Sequence, residues 1–387
     1  MMAAITAASH GHNVTLLERN DRLGKKLYIT GGGRCNLTYA TDPEGLIQNV
    51  VGNPSFMYSS FYSFGSEDII KFFENRSVPL KIEEGRVFPK SGKSQDIIDA
   101  LQCALKEFGV QVRLNCRVTD IRQFLDNGGK VIVATGGLSY PATGSTGDGY
   151  RWAKELGHTV TGLHPALVPL HVEKVPDLAG LSLQDVRLSA VLSGKKLFES
   201  IGELIFTHSG ISGPLALTAS RYLAEHIGNG PTVSIDLMPH FDLDQLDKHL
   251  LYAFESYPNK SLGNIMAGML PKRIAMAFGQ KNKNTKANSV TKGERTALAR
   301  SIKNMSFDIT GTAGFREAVI TVGGIDVREI NPGDMSSKKI PGLYFAGEVL
   351  DVDALTGGFN LQIAFSTGYM AGQATGQATG QAIGHPL

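Results

Sequence analysis

The sequence is short of cysteine, of any excess of one charge, and of long apolar runs. Three cysteines in 387 residues cannot build a disulfide framework, and they suit a reducing compartment. Lys and Arg number 38 against 36 Asp and Glu, a net charge of +2. That balance excludes a histone-like polycation and a strongly acidic tail protein. No run approaches the ~18 apolar residues of a membrane span, so no membrane partner is expected. Met1–Ala8 is apolar, but it has no basic n-region and is short for a signal peptide. No metal site is expected either. The 42% hydrophobic content is enough for two or three domains with sizeable cores in a cytoplasmic protein. Glycine is the residue in excess, 45 of 387 against an average of ~7%. With no collagen period, the surplus belongs in turns and close backbone approaches.

The N-terminal third places several of those glycines. Met1–His10 is Ala-rich and helical in character, with Gly11 where a helix would stop. Asn13–Leu17 reads as a buried strand with Glu18 at its end. Helix, turn, parallel strand and terminal acid make the second half of a βαβ nucleotide unit, in which the acid accepts from a ribose hydroxyl. Glu18 is either that acid or an ordinary solvated carboxylate. Thr30-Gly-Gly-Gly-Arg-Cys-Asn36 follows the basic residues Arg22, Lys25 and Lys26. Three bare backbone units can approach a flat ring or a pyrophosphate, with Arg34 and Asn36 adding side-chain donors. Cys35 reads as a packing residue or, having no C-x-x-C partner, as a lone redox thiol. Val110–Leu114 and Lys130–Ala134 read as further strands, the latter breaking on Thr135, Gly136 and Gly137 at the strand end where parallel sheets bind ligands. Thr143–Gly149 is glycine-rich before a helix near Tyr150, but it lacks the G-K-[ST] of a P-loop, which excludes an NTPase.

Residues 159–240 shift to β character and 241–304 to helical pattern. His208 sits in a polar turn, Thr207–Gly213, ahead of a helix from Pro214. It is a hydrogen-bonded structural histidine or a catalyst. Near the C-terminus a strand, Gly342–Ala346, meets Gly347-Glu348-Val-Leu-Asp351, and Thr356-Gly357-Gly358-Phe359-Asn360 opens a helix to about Ala371. Bare N–H groups at a positive helix end suit a ligand that gains negative charge, such as a reduced flavin. The Gly-Gln-Ala-Thr repeats of 372–384 read as a low-complexity mobile tail.

In combination, Leu17-Glu18-Arg19, Gly24-Lys-Lys26 ahead of 30–36, 134–137, 206–214, 347–351 and 357–360 resemble one family. It is the bacterial FAD-dependent oxidoreductases that include bile-acid dehydro-steroid reductases, aminoacetone oxidases and a ribosomal-RNA dihydrouridine synthase. The likeness runs in order from Met1 to about Gly372. It implies an α/β fold with a discontinuous Rossmann-like FAD domain (1–157 and 340–387). Inserted in it would be a β-rich domain (158–240 and 305–339) and a small helical domain (241–304). By the same resemblance Glu18 holds the adenosine ribose, Lys26 lies near the pyrophosphate, and Gly32, Gly33, Arg34, Cys35 and Asn36 line the flavin. Val118 meets the adenine through its backbone, and Thr135, Gly136 and Gly137 close the dinucleotide side. Asp351 serves the ribityl chain or pyrophosphate, and Gly347 and Glu348 beside it are cofactor-binding. Gly357, Gly358, Phe359, Asn360 and Leu361 cap the isoalloxazine.

The family's first strand and its G-x-G-x-x-G turn are not found in this sequence. Its β-meander is reduced to Asp120–Gly129, and Ala354-Leu355 stand where glycine is usual. Those departures carry the expectation of an incomplete copy or weak FAD binding, and a rival reading as a non-enzymatic relic of the fold. The main expectation is a hydride passed between flavin and a C=C or C–N bond of a small substrate, with NAD(P)H as transient donor. The proton would come from His208, with Tyr140 behind it. A second reading, dihydrouridine synthesis on ribosomal RNA, draws on residues 271–303, which hold nine basic residues and one acid.

Overall fold

The computed structural model describes residues 1–173, 178–279 and 285–376. The chain divides into two compact units, Met1–Pro165 with the segment from Phe315 onward, and Ala166–Gly314.

The first unit is built on parallel strands. Helix α1 (Met2–Ser9) buries Met2–Ala8 and stops where Gly11 takes a left-handed φ of 86°. The chain then enters strand β1 (Thr15–Leu17), which pairs in parallel with β2 (Gln111–Arg113). Strand β3 (Val131–Val133) pairs in parallel with β4 (Leu343–Phe345). Among the described residues these are two separate two-stranded sheets. Helix α2 (Lys25–Ile29) precedes the triple-glycine turn, α3 (Asp148–Glu155) follows the 143–147 loop, and α4 (Phe359–Gly376) closes the unit.

Helix α4 corrects the expectation of a tail from residue 372. The repeat enters the helix because Gly372 lets α1 approach closely. A Cβ there would lie 2.5 Å from the Ala3 carbonyl oxygen and 2.7 Å from Thr6 Cβ. Residues 377–387 lie outside the described residues. The reduced 120–129 segment forms a short helix, Arg122–Leu125, with the Arg122 amide donating to Asp120 Oδ1 at 2.9 Å.

His158 is a buried titratable group in this unit. Its Nε2 lies 2.7 Å from Ser337 Oγ, while its Nδ1 is buried without a partner. Burial lowers its pKa, outweighing the attraction of Glu329. The unfolded chain therefore binds the proton more readily, so this contribution to stability is complete above the unfolded value of ~6.5 and is lost as the pH falls below it. Thermal melts should show a fall in Tm between pH 7.5 and 5.5 that is smaller in His158→Asn. An unchanged pH slope in the variant would reject the assignment.

The second unit is a closed six-stranded antiparallel barrel. Its order is Ser182–Leu192, Lys195–Phe206, Gly210–Ser212, Leu170–Val172, Met305–Thr312 and Thr232–Asp236. Ser193 and Gly194, both at positive φ (48° and 79°), form the two-residue turn of the longest hairpin. Helices Leu243–Ser256 and Lys292–Lys303 each start with a capping box, Asp242 with Gln245 and Thr291 with Glu294. Leu246, Leu250, Ala299 and Ile302 of these helices share one apolar cluster with Phe206, Val233 and Ile235 of the barrel.

Candidate functional site

In the first unit a cleft of about 1120 Å³ runs beside β1 and β3. Glu18, Lys26, Val118, Thr135 and Gly136, drawn from four stretches of sequence, all line it. Glu18 ends β1, and its Oε1 accepts from the Asn20 amide and from Asn20 Nδ2, both at 2.8 Å. Arg19 reaches Asp148 Oδ2 at 3.0 Å, tying the end of β1 to the first turn of α3. Thr135 Oγ1 is buried without a partner.

Glu348 is the electrostatic centre of the neighbouring segment. One carboxylate oxygen accepts from Ser139 Oγ (2.6 Å) and the Thr321 amide (2.9 Å), and the other pairs with Lys26 Nζ. Lys26 Nζ also donates to Ser139 Oγ at 2.6 Å. Thr321 Oγ1 accepts the amides of Leu138 and Ser139 (2.8 and 3.1 Å), pinning the chain after Gly137. A Cβ at Gly137 would lie 2.4 Å from that hydroxyl, so glycine is required there. Ser139 and Thr321 carry no motif signal and become visible only through this network.

The two outer glycine segments meet each other. Gly31, Gly32 and Gly33 all take positive φ (57°, 64° and 86°), and nothing lies within 4 Å of a Cβ built at Gly32 or Gly33. At Gly358, with φ 96°, a Cβ would lie 2.7 Å from Thr38 C and 2.8 Å from Asn36 Oδ1. Asn36 Oδ1 is buried without a hydrogen-bond partner. Phe359 stacks on Tyr39 with ring centroids 5.2 Å apart. Asn360 has a structural task, donating to the Ala354 carbonyl (2.8 Å) and accepting the Ala354 amide (2.9 Å). The Gly347 amide donates to Thr367 Oγ1 at 2.9 Å, which fixes the Gly347–Val349 turn against α4. Burial raises the Asp351 carboxyl, with Asp353 and Asp326 adding to the effect.

Two side chains are already committed. Cys35, fully buried at φ 56°, has its thiol pushed up to about 12 by burial, so it packs and stays protonated. Arg34 pairs with Glu83 at 3.1 Å, its guanidinium 4.4 Å from the Phe88 ring centroid. His208 lies in the other unit, exposed on the turn between Lys195–Phe206 and Gly210–Ser212. Tyr140, at φ 50°, holds the Phe315 carbonyl through its amide.

The basic stretch is thinner than its count. Arg295 forms a two-pronged pair with Asp247 (3.0 and 2.8 Å), and Lys303 reaches Asp236 at 2.6 Å. Arg273 donates to the Ala179 carbonyl at 3.0 Å. Lys272, Lys286, Lys292 and Arg300 are exposed, and Lys281 and Lys283 lie outside the described residues.

The donor set suits a dinucleotide carrying a flat ring. Bare glycine amides, a lysine beside the cleft, and two buried oxygens without partners, on Asn36 and Thr135, are what such a ligand would engage. A parallel α/β unit with ligand residues at its strand ends defines a Rossmann-type nucleotide-binding protein. The chain matches the model of the HI0933-like protein Rossmann domain over residues 1–374. It therefore belongs to that family, whose members are FAD-dependent oxidoreductases. It is 30% identical to the 3-dehydro-bile acid delta(4,6)-reductase of Clostridium scindens, over 96% of this chain and 95% of that protein. It is 31% identical to the ribosomal RNA dihydrouridine synthase of Escherichia coli, over 95% and 93%. Among solved structures, 3-ketosteroid-delta4-(5alpha)-dehydrogenase from Rhodococcus jostii matches at 14% identity and a TM-score of 0.49, over 97% and 94%. No helix among the described residues is long and apolar enough to cross a membrane.

Proposed function

We propose that this protein, acting in the cytoplasm, adds hydrogen across a carbon–carbon double bond, or transfers it at a C–N bond, of a small organic substrate. NAD(P)H is the transient electron donor. The observation that carries the proposal is the meeting of Asn36 with Gly358, from opposite ends of the chain, around a buried oxygen with no partner. FAD, when bound, supplies the two-electron chemistry. The chain's part is to hold and orient it. Glu18 would take the ribose and Lys26 the diphosphate side, with Glu348 holding Lys26 in place. Val118 and Thr135–Gly137 would take the adenosine end and Gly32–Asn36 the ring. Asp351 would take the ribityl chain, and Gly357–Leu361 the pyrimidine edge. The bile-acid relative's name supports a C=C substrate.

Purified chain should show the absorption bands of flavin or acquire them on addition of FAD, with a higher Tm. A colourless chain that FAD does not stabilise would favour the relic reading. His208 is the proton donor to be tested. His208→Ala should slow substrate reduction by about 100-fold or more while leaving flavin reduction by NAD(P)H unchanged. Equal loss in both half-reactions would reject that role.

The RNA reading is favoured by two relatives named ribosomal RNA dihydrouridine synthase and by the exposed Lys286, Lys292 and Arg300. Reversing those three charges should abolish dihydrouridine formation in cells if RNA is the substrate. Unchanged dihydrouridine content would remove this option.

A further inference from the structure

One polar cluster in the first unit has no exposure to solvent. Thr38, Gln362 and Ser366 are each fully buried, and both ends of the Gln362 amide are used. Its Nε2 donates to the Phe64 carbonyl at 3.1 Å and to Ser366 Oγ at 2.8 Å, and its Oε1 accepts from the Thr38 hydroxyl. Ser366 Oγ donates in turn to the Phe64 carbonyl at 2.6 Å. A carbonyl oxygen can only accept, so the amide nitrogen must face Phe64 and the amide oxygen must face Thr38. Chemistry thus sets the orientation of the amide, and Thr38 has to be the donor.

The cluster joins residues 324 positions apart in the chain. Thr38 belongs to the strand Thr38–Tyr39, which pairs antiparallel with Arg86–Pro89. Gln362 stands one turn into α4, and its backbone amide donates to the Gly358 carbonyl at 3.0 Å. The Thr38 hydroxyl therefore ties the strand to the first turn of α4. On the same seam a Cβ at Gly358 would meet Thr38 C and Asn36 Oδ1, and Phe359 stacks on Tyr39. Stacking and backbone contact set a separation but allow sliding along the helix. A directional bond to one amide oxygen fixes the register. Two apolar side chains would pack here without the desolvation that a buried amide incurs. What the satisfied polar cluster adds is a single arrangement.

We propose that Gln362 is a positioning residue for the ring end of the cofactor site. Its amide holds Thr38, Thr38 holds the 36–38 segment against Gly358, and Asn36 Oδ1 is thereby kept in place as an open acceptor. Asn36 is the group that would meet a ring N–H of the ligand, and Gln362 acts only through it. The inference rests on the reading of Gly32–Asn36 and Gly357–Leu361 as the ring site. It carries a selectivity that the reading alone does not. Thr38, Gln362 and Ser366 are absent from the lining of the cleft where Glu18 and Lys26 stand. Loosening the cluster should therefore release the ring and spare the adenosine diphosphate end.

The test uses the full chain. Thr38→Val keeps the β-branch and removes the donor, and Gln362→Met keeps the length and removes both ends of the amide. Each should bind FAD at least tenfold more weakly. At saturating FAD the visible bands of the bound flavin should move toward those of free FAD. ADP, which has no ring, should bind both variants as it binds the wild type. Thr38→Ser keeps the hydroxyl and should restore FAD affinity to within threefold. Wild-type FAD affinity in both variants overturns the inference, as does an unshifted spectrum. Equal losses for FAD and ADP, or no recovery in Thr38→Ser, would make the cluster packing for the unit as a whole and also overturn it. A wild-type chain that binds ADP but not FAD ends the ring-site reading and this inference with it. A wild type that binds FAD no better than its variants ends this inference alone.

Discussion

Gly358→Ala is expected to weaken FAD binding at least a hundredfold while leaving the barrel unit folded. The residue takes φ 96°, outside the region open to alanine without strain. Its new Cβ would lie 2.7 Å from Thr38 C and 2.8 Å from Thr38 Cα, both backbone atoms that cannot rotate away. Relief would have to come from moving the 36–38 segment or the start of α4. Either shift displaces Asn36 from the position where its Oδ1 waits without a partner. A hundredfold loss corresponds to about 2.7 kcal/mol, within what a strained glycine site and a lost contact can supply together. Gly92→Ala is the control, since open space surrounds a Cβ there and only φ 70° resists it. It should cost about 1 kcal/mol of stability. FAD titrations followed by absorbance, with parallel melts, decide the matter. Wild-type affinity in Gly358→Ala would remove Asn36 and Gly358 from the proposed ring site.

The largest stability effect should come from Gly210→Ala in the barrel. Gly210 opposes His171 in the antiparallel pair of Gly210–Ser212 with Leu170–Val172. A Cβ there would fall 1.9 Å from the Leu170 carbonyl oxygen and 2.9 Å from His171 Cα. No rotamer change relieves a clash with backbone, so the strands must part. That opens a barrel with only two residue pairs at this seam and exposes the fully buried Ile211. The expected loss is above about 4 kcal/mol, in the range reserved for disrupted cores and backbone strain. Denaturant unfolding followed by circular dichroism would check it. A change below about 1 kcal/mol would contradict the close approach.

Much of the local architecture was legible because its causes are local. The Ala-rich start and Gly11 mark α1, the shift to β character marks 159–240, and Gly-Gly marks the breaks after β3 and before α4. The short strand Gly210–Ser212 inside the His208 turn was not legible, because three residues carry no period and form a strand only by bridging Phe206 to His171. Extension of α4 through Gly376 was hidden for a related reason. Glycine argues against helix in isolation, and only the approach of α1 makes it the residue that fits.

The candidate site divides along the same line. Positive φ at Gly31–Gly33, Gly136, Gly347 and Gly357–Gly358 follows from the absence of Cβ, a property each residue carries wherever it lies. Partnership is different. Arg34, a ligand donor by its place beside the glycines, is held by Glu83; Lys26 is held by Glu348 and Ser139; Arg273, Arg295 and Lys303 of the basic stretch bond inside their own unit. Asn36 and Thr135 keep a buried oxygen unpaired. Bare backbone could thus be located from the amino acids, because missing atoms are local. Which polar atoms are spent and which remain open depends on partners 48 to 322 residues away in the chain, because a hydrogen bond exists only where the fold brings both of its ends together.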